Sequence, residues 1–318
     1  MRRRIGAYGV CRDERGRVLL ARGSALSEFP GVWSLPGGGV EQGEHPDRAV
    51  VREFAEETGL RVTVARLRAA LADVLDLPAA GVPEHTDRLI YDVRADGGAP
   101  RAEIGGTTDR VDWAGPGELA RWPLLPFTAR VLGLPPAPTD EARTPPAAPA
   151  DELRAVQTVA GPVAPGPATA VQRFGAYALA TDPAGRVLLT LIAPGYPGAG
   201  RWHLPGGGTD PGEQPEAALA RELVEEAGQH GRVTGLLGVS HRHDPAAMGP
   251  ERVPIDWHVV RVLFRVAVDA PAAAVVTEAA GGSTAAAGWF TQAQAEALPL
   301  TEVARSALRL LAEETAHQ

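Results

Sequence analysis

Short apolar runs alternate with polar turns along the chain, and their lengths favour strands and helices in alternation. Residues 5–12 and 17–21 are predicted to be strands, because both are rich in apolar residues and a polar, glycine-ended turn at 13–16 separates them. Residues 46–58 predict a helix, since a proline opens the segment and Gly59 follows it. Residues 89–93 predict a further strand and residues 126–134 a closing helix.

The same pattern returns in the second half of the chain. Gly6-Ala7-Tyr8 recurs as Gly175-Ala176-Tyr177, and Leu35-Pro36-Gly37-Gly38-Gly39 recurs as Leu204-Pro205-Gly206-Gly207-Gly208, each 169 positions later. Predicted helices at 215–227 and 300–314 and a predicted strand at 259–268 follow the order of the first half. Because self-similarity at a fixed offset is the sign of a repeated unit, we interpret the chain as a tandem repeat of one domain.

A proline- and alanine-rich stretch separates the two copies. Residues 135–168 have the composition of an extended, semi-rigid linker, with a short helix predicted near 151–156. The predicted domains are therefore residues 1–134 and 169–318. Each is predicted to be α/β (α+β), a mixed sheet flanked by helices. An internal pseudo-dimer is one arrangement of the two copies that this linker permits.

Composition narrows the classes of function. The 318 residues include neither lysine nor asparagine, so all 31 basic residues are arginine, and arginine must bind any phosphate that a metal does not. The net charge of −8 argues against binding to polymeric nucleic acid. A single cysteine excludes an internal disulfide framework, and no apolar run is long enough for a membrane span. These features predict a soluble cytoplasmic protein, and they do not exclude an anionic small substrate.

One predicted helix in each copy carries three glutamates on a single face. In both copies the spacing is i, i+3 and i+4, and the residues are Glu53, Glu56 and Glu57, then Glu222, Glu225 and Glu226. Like charges at this spacing repel and weaken an ordinary helix. A divalent cation with oxygen ligands is the natural compensation, whereas a solvated acidic face is the ordinary alternative.

Both segments resemble the Nudix box, Gly-x5-Glu-x7-Arg-Glu-U-x-Glu-Glu-x-Gly-U, where U is a bulky apolar residue. The first copy matches from Gly38 to Leu60 without exception. The second matches from Gly207 and departs only at its last position, where Gln229 replaces the apolar residue. The resemblance covers both halves outside the linker and implies two Nudix-type α/β/α sandwich domains.

The resemblance also implies an activity and a set of site residues. Nudix enzymes hydrolyse the diphosphate linkage of a nucleoside diphosphate joined to another moiety, with Mg²⁺ or Mn²⁺ as cofactor. Carried over by position, the three glutamates of each helix would be catalytic and bind metal, aided by backbone carbonyls. The remaining residues implied are Gly37 and Gly206 as metal ligands, and the structural ion pairs Glu44–Arg52 and Glu213–Arg221. Glu103, Asp109 and Glu278 are candidates for a further acid.

Several points stay open at the level of sequence. One alternative is a sensor that binds a nucleotide without turnover, and another is one catalytic half beside a scaffold half. The general base among the glutamates is not determined. ADP-ribose, dinucleoside polyphosphates, oxidised nucleoside triphosphates and nucleotide sugars all remain candidate substrates.

Overall fold

The computed structural model describes residues 1–77, 81–135, 169–249, 253–277 and 282–316. Nearly all of the predicted linker, 135–168, and the short helix predicted near 151–156 lie outside these residues. The chain divides into two compact units. The first comprises Met1–Gln172 with Arg242–Val259, and the second comprises Arg173–His241 with Val260–Gln318.

The first copy of the repeat is built from two sheets and three helices. Strands β4, β1, β6 and β5 form one sheet in that order, with β1 parallel to β6 and antiparallel to β4, while β3, β2 and β7 form the other. The elements are β1 (Arg2–Cys11), β2 (Val18–Gly23), β3 (Trp33–Ser34), β4 (Gly37–Gly39), α1 (Pro46–Thr58), β5 (Val62–Leu77), β6 (Val82–Ala95), β7 (Thr108–Ala114), α2 (Pro116–Leu119) and α3 (Pro126–Val131).

The two faces of β1 serve two different helices. Gly9 faces α1 so closely that a Cβ there would lie 2.4 Å from a ring carbon of Phe54, a buried residue of α1, if Phe54 did not move. Tyr8 faces the other way and packs on Phe127 of α3, with ring centroids 4.8 Å apart. Because successive residues of a strand point to opposite faces, the sheet lies between helices. The predicted mixed sheet flanked by helices is confirmed.

The second copy follows the same plan with a longer continuous sheet. Its strands run in the order β10, β9, β8, β13, β12, with β11 also paired to β8 and β14 to β9. The elements are β8 (Thr169–Thr181), β9 (Val187–Ile192), β10 (Trp202–His203), β11 (Gly206–Gly208), α4 (Pro215–Ala227), β12 (Arg232–Met248), β13 (Pro254–Ala267), β14 (Thr284–Phe290), α5 (Gln292–Glu296) and α6 (Glu302–Ala316). A buried cluster that includes Leu179, Leu204 and Ala307 packs α6 against this sheet.

The central strand β6 is longer than the strand predicted at 89–93. The prediction covers only the apolar residues, whereas the first half of β6 is polar. Residues 84–88 are nonetheless buried. Asp87 accepts hydrogen bonds from Arg3 of β1, and Glu84 pairs with Arg2 at 3.2 Å. These polar residues lie in a strand because their backbone pairs with both β1 and β5, and the arginines of β1 neutralise the buried acids.

Gln229 has a structural role in the second copy. Its side chain is 1% exposed, and its amide nitrogen donates to the carbonyl oxygen of Ala227 while its amide oxygen accepts from the Ala272 amide at 3.0 Å. A buried amide with partners on both ends avoids the cost of unpaired polar atoms. The departure from the apolar consensus therefore fastens residue 272 to the end of α4.

None of the helices in the described part of the chain combines the length and apolar character needed to cross a bilayer.

Candidate active sites

The carboxylate face of α1 points at the glycine strand β4. The Gly37 amide donates a hydrogen bond of 3.0 Å to Glu57 Oε2, and Thr108 Oγ1 lies 3.3 Å from Glu57 Oε1. Gly38 allows equally close approach of Glu53, since a Cβ at position 38 would lie 2.5 Å from the Glu53 carboxyl carbon. A side chain at position 38 would therefore displace the Glu53 carboxylate, whereas the Gly37 amide holds Glu57 against the backbone of β4.

Arg52 connects the loop before α1 to the carboxylates on the helix. Its Nη1 donates to Glu53 Oε1 at 2.9 Å and to Glu56 Oε2 at 3.2 Å. Its Nε and Nη2 donate to the two carboxylate oxygens of Glu44 at 3.0 and 2.9 Å, and Nη2 also donates to the Gly39 carbonyl at 2.9 Å. Because such fork-shaped pairing fixes geometry as well as charge, Arg52 holds the 39–44 loop on the helix.

The second copy has nearly the same arrangement on α4. Arg221 pairs with Glu213 at 3.0 Å, with Glu222 at 2.9 Å and with Glu225 at 3.1 Å. The Gly206 amide donates to Glu226 Oε2 at 2.8 Å. Thr284 Oγ1 lies 2.5 Å from Glu226 Oε1, as Thr108 does beside Glu57. The two copies therefore share one site geometry, including the threonine hydroxyl beside the last glutamate.

The first site carries more negative charge than its arginine balances. Burial raises the pKa of Glu57 to about 8, and the charge of Glu53 adds to the shift despite the Gly37 hydrogen bond. Burial also raises the pKa of Glu53, although Arg52 opposes the change. The hydrogen bonds that Arg52 donates to Glu44 raise the pKa of Arg52 further above its usual range. A cation among these oxygens would relieve the crowding.

The donor chemistry fits a hard divalent cation, but the side chains are not gathered around one. Within the described residues, no three His, Cys, Asp or Glu side chains lie close enough together to hold an ion. Arg52 Nη1 lies between Glu53 and Glu56 instead. Gly37 contacts Glu57 through its amide, whereas the resemblance implies a role for its carbonyl. A metal would bind only after the carboxylates turn away from the arginine.

The downstream acids differ in their surroundings. The negative charge of Glu103 contributes to the raised pKa of Glu57, which places Glu103 near the first site. Asp109 instead forms a 2.8 Å ion pair with Arg22. Glu278 lies outside the described residues.

The loop that carries Glu44 makes a second group of contacts, which the sequence does not predict. The Gln42 side chain donates to the Asp256 carbonyl at 2.8 Å, and the Gly43 amide donates to His258 Nδ1 at 3.2 Å. His258 is fully buried, and His243 Nε2 lies 2.6 Å from Asp256 Oδ1. All of these residues belong to the first compact unit. No local motif marks the contact, because it joins positions more than 200 residues apart.

The raised pKa of Glu57 predicts a pH-dependent stability for the metal-free protein. A carboxyl whose pKa rises from 4.5 unfolded to about 8 folded stays protonated in the fold, so its contribution is fully present below pH 4.5 and is lost as pH rises towards 8. The loss is at most about 1.4 kcal/mol per pH unit. Urea unfolding in EDTA at pH 5 and pH 8 measures it, and Glu57→Gln should flatten the profile.

Glu56→Gln is the matched control for this pH experiment, since Glu56 is exposed on the same helix. Its profile should follow that of the wild type. Parallel profiles for wild type and Glu57→Gln would show that Glu57 titrates normally.

Comparison with known proteins identifies the repeated domain. The family model of the NUDIX domain matches residues 2–133 and 171–312. A MutT-like protein of Streptomyces ambofaciens is 32% identical over 132 residues, which are 40% of this chain and 74% of that protein. A CTP pyrophosphohydrolase of Escherichia coli (strain K12) is 30% identical over 126 residues, or 38% of this chain and 82% of the relative.

Two further relatives match a shorter part of the chain or a single copy of the domain. An 8-oxo-dGTP diphosphatase of Proteus vulgaris is 39% identical over 61 residues, which are 19% of this chain and 54% of that enzyme. The crystal structure of a MutT NUDIX hydrolase from Burkholderia pseudomallei covers 42% of this chain and 98% of its own, with 29% identity and a TM-score of 0.36. Since both family matches include the carboxylate helix of their copy, the chain belongs to the NUDIX family and carries its domain twice.

Proposed function

We propose that both copies hydrolyse the diphosphate linkage of small nucleoside diphosphate derivatives, with Mg²⁺ or Mn²⁺ as the cofactor. The observation that supports this most strongly is the paired geometry of α1 and α4. Each helix holds three carboxylates beside a glycine strand, with one arginine fork and one threonine hydroxyl in the same places. A scaffold copy would not need to keep these contacts.

The residues divide into metal-binding and positioning groups. We assign the cation to Glu53, Glu56 and Glu57 in the first copy and to Glu222, Glu225 and Glu226 in the second. The bound cation would neutralise phosphate oxygens and lower the pKa of an attacking water. Arg52 with Glu44, and Arg221 with Glu213, hold the loop before the helix and so fix where the substrate lies.

Relatives guide the choice of substrates to test. Two of them are named for CTP and for 8-oxo-dGTP, so nucleoside triphosphates come first, followed by ADP-ribose, dinucleoside polyphosphates and nucleotide sugars. Asparagine is absent from the chain, so any reading of a base must use other donors.

A panel assay tests this proposal. The full chain is incubated with each substrate in Mg²⁺, in Mn²⁺ and in EDTA, and products are separated by chromatography. We expect a nucleoside monophosphate product from at least one substrate with either metal and none in EDTA. Tight binding of a substrate without turnover in any metal would instead favour a nucleotide sensor.

A further inference from the structure

A buried arginine of the first copy has every partner that it needs. Arg88 of β6 is 4% exposed and pairs with Asp73 at 3.0 Å. It donates to the Tyr8 hydroxyl at 2.6 Å, and its guanidinium lies 4.1 Å from the ring centre of Phe127. The charge and hydrogen-bond donors of Arg88 are therefore paired within the first copy, and its guanidinium is covered by an aromatic ring. Arg88 is not available to a ligand.

The counterpart of this arginine in the second copy lacks these partners. Arg261 opens the sequence Arg-Val-Leu-Phe as Arg88 opens Arg-Leu-Ile-Tyr, and it lies 5.8 Å from the ring centre of Tyr177, the counterpart of Tyr8. Among the described residues Arg261 forms no ion pair, and its buried Nε has no hydrogen-bond acceptor. Val303 replaces Phe127, and both Arg261 and Tyr177 are partly exposed.

A neutral histidine lies beside this unpaired cation. Burial and the positive charge of Arg261 lower the pKa of His203 to about 3. Its Nδ1 is 2.6 Å from Thr301 Oγ1, which also accepts a hydrogen bond from the Ala304 amide at 3.3 Å. When Thr301 donates its proton to Nδ1, the ring proton lies on Nε2, so His203 offers a donor without adding charge.

The segment that carries His203 continues into the glycine strand of the second carboxylate site. Tyr177 pairs across the strands with Gly206, and the Gly206 amide binds Glu226. His203 lies three residues before Gly206 on the same segment. The arginine group and the carboxylates are therefore connected through the backbone of residues 203–206 and β8.

We propose that Arg261, with His203 beside it, forms an anion subsite of the second copy that binds a phosphate group of the substrate. The unneutralised guanidinium supplies the charge, and the histidine and tyrosine supply the donor and the aromatic wall. The first copy has no such subsite, because Asp73 and Phe127 satisfy Arg88 internally. The role as a substrate subsite rests on the proposed hydrolysis, whereas the anion binding does not.

Calorimetry with inorganic phosphate in EDTA tests the binding. Without metal the glutamates repel anions, so we expect phosphate to bind the full-length wild type and Arg261→Gln to weaken it at least about tenfold. Arg261→Lys keeps the charge but loses the fork, and should bind with intermediate affinity. Arg232→Gln, which removes an exposed arginine of the same unit, should bind as the wild type does.

Two outcomes would overturn the subsite. Equal phosphate affinity for wild type and Arg261→Gln, with circular dichroism showing both folded, removes the assignment, as does no binding to the wild type. Once a substrate is known, phosphate must also inhibit the second site of the wild type competitively. In Arg261→Gln, KM must rise by a larger factor than kcat falls. Non-competitive inhibition would contradict a substrate role. If the panel finds no hydrolysis but phosphate binds through Arg261, only the proposed reaction fails.

Discussion

The double substitution Glu56→Gln/Glu57→Gln is expected to abolish hydrolysis by the first copy, and Glu225→Gln/Glu226→Gln to abolish hydrolysis by the second. Glutamine has nearly the same shape, and its amide oxygen can still accept the Gly37 or Gly206 amide. What is lost is the negative charge that a divalent cation requires. Since metal binding provides several kcal/mol of transition-state stabilisation, we expect each affected rate to fall at least about 10³-fold.

The experiment is a rate measurement for wild type and both double variants on every substrate that the panel identifies. Glu216→Gln, in the first turn of α4 and away from the carboxylate face, is the control and should keep full activity. Loss of a different activity in each double variant indicates two independent enzymes on one chain. Loss of all activity in one variant and none in the other indicates a scaffold copy. Full activity in both variants would contradict the assignment of the glutamates.

Gly37→Ala is expected to destabilise the first unit more than any other single methyl group on the glycine strand. Gly37 has a φ of 142°, which side chains rarely adopt, and an added Cβ would lie 2.6 Å from Tyr8 Cα, in the backbone of the neighbouring strand. Backbone cannot move aside as a flexible side chain can. Strain and overpacking together should cost about 3 kcal/mol or more, measured by urea unfolding.

Gly117→Ala provides the matched control for this substitution. Gly117 lies in α2, and a methyl group added there would have no neighbouring atom within 4 Å, so alanine should be neutral or slightly stabilising. Gly206→Ala should repeat the Gly37 result in the second unit, since its φ is 138° and its Cβ would lie 2.7 Å from Tyr177 Cα. A Gly37→Ala protein as stable as wild type would show that β1 and β4 can separate without cost.

The sequence predicts the carboxylate helices well because their signals are local. Both helices begin and end at the predicted residues, Pro46–Thr58 and Pro215–Ala227. Proline occupies the first turn, and Gly59 and Gly228 adopt the left-handed conformation that ends a helix, with φ of 66° and 63°. Three acidic side chains on one face follow from helical spacing alone.

The parts that escaped prediction depend on pairing between distant segments. The polar start of β6 is buried between β1 and β5, where Arg2 and Arg3 neutralise Glu84 and Asp87. The contrast between Arg88 and Arg261 is equally hidden, because the two arginines stand in similar sequences. Only the register of β5 on β6 brings Asp73 within reach of Arg88. Hydrophobic pattern and motif spacing carry no information on such pairs.

The arginine fork on each carboxylate helix has a consequence for how tightly a cation is held. Arg52 already engages two of the oxygens that a divalent ion would need, so binding of the proposed ion would exchange one counter-ion for another. The dissociation constant of that ion would then include the free energy of displacing Arg52 from the carboxylates. A side chain at position 52 that paired more weakly with the carboxylates would raise the affinity for the ion but would hold the 39–44 loop less firmly. Arg52 would therefore balance affinity for the proposed cofactor against the order of the loop.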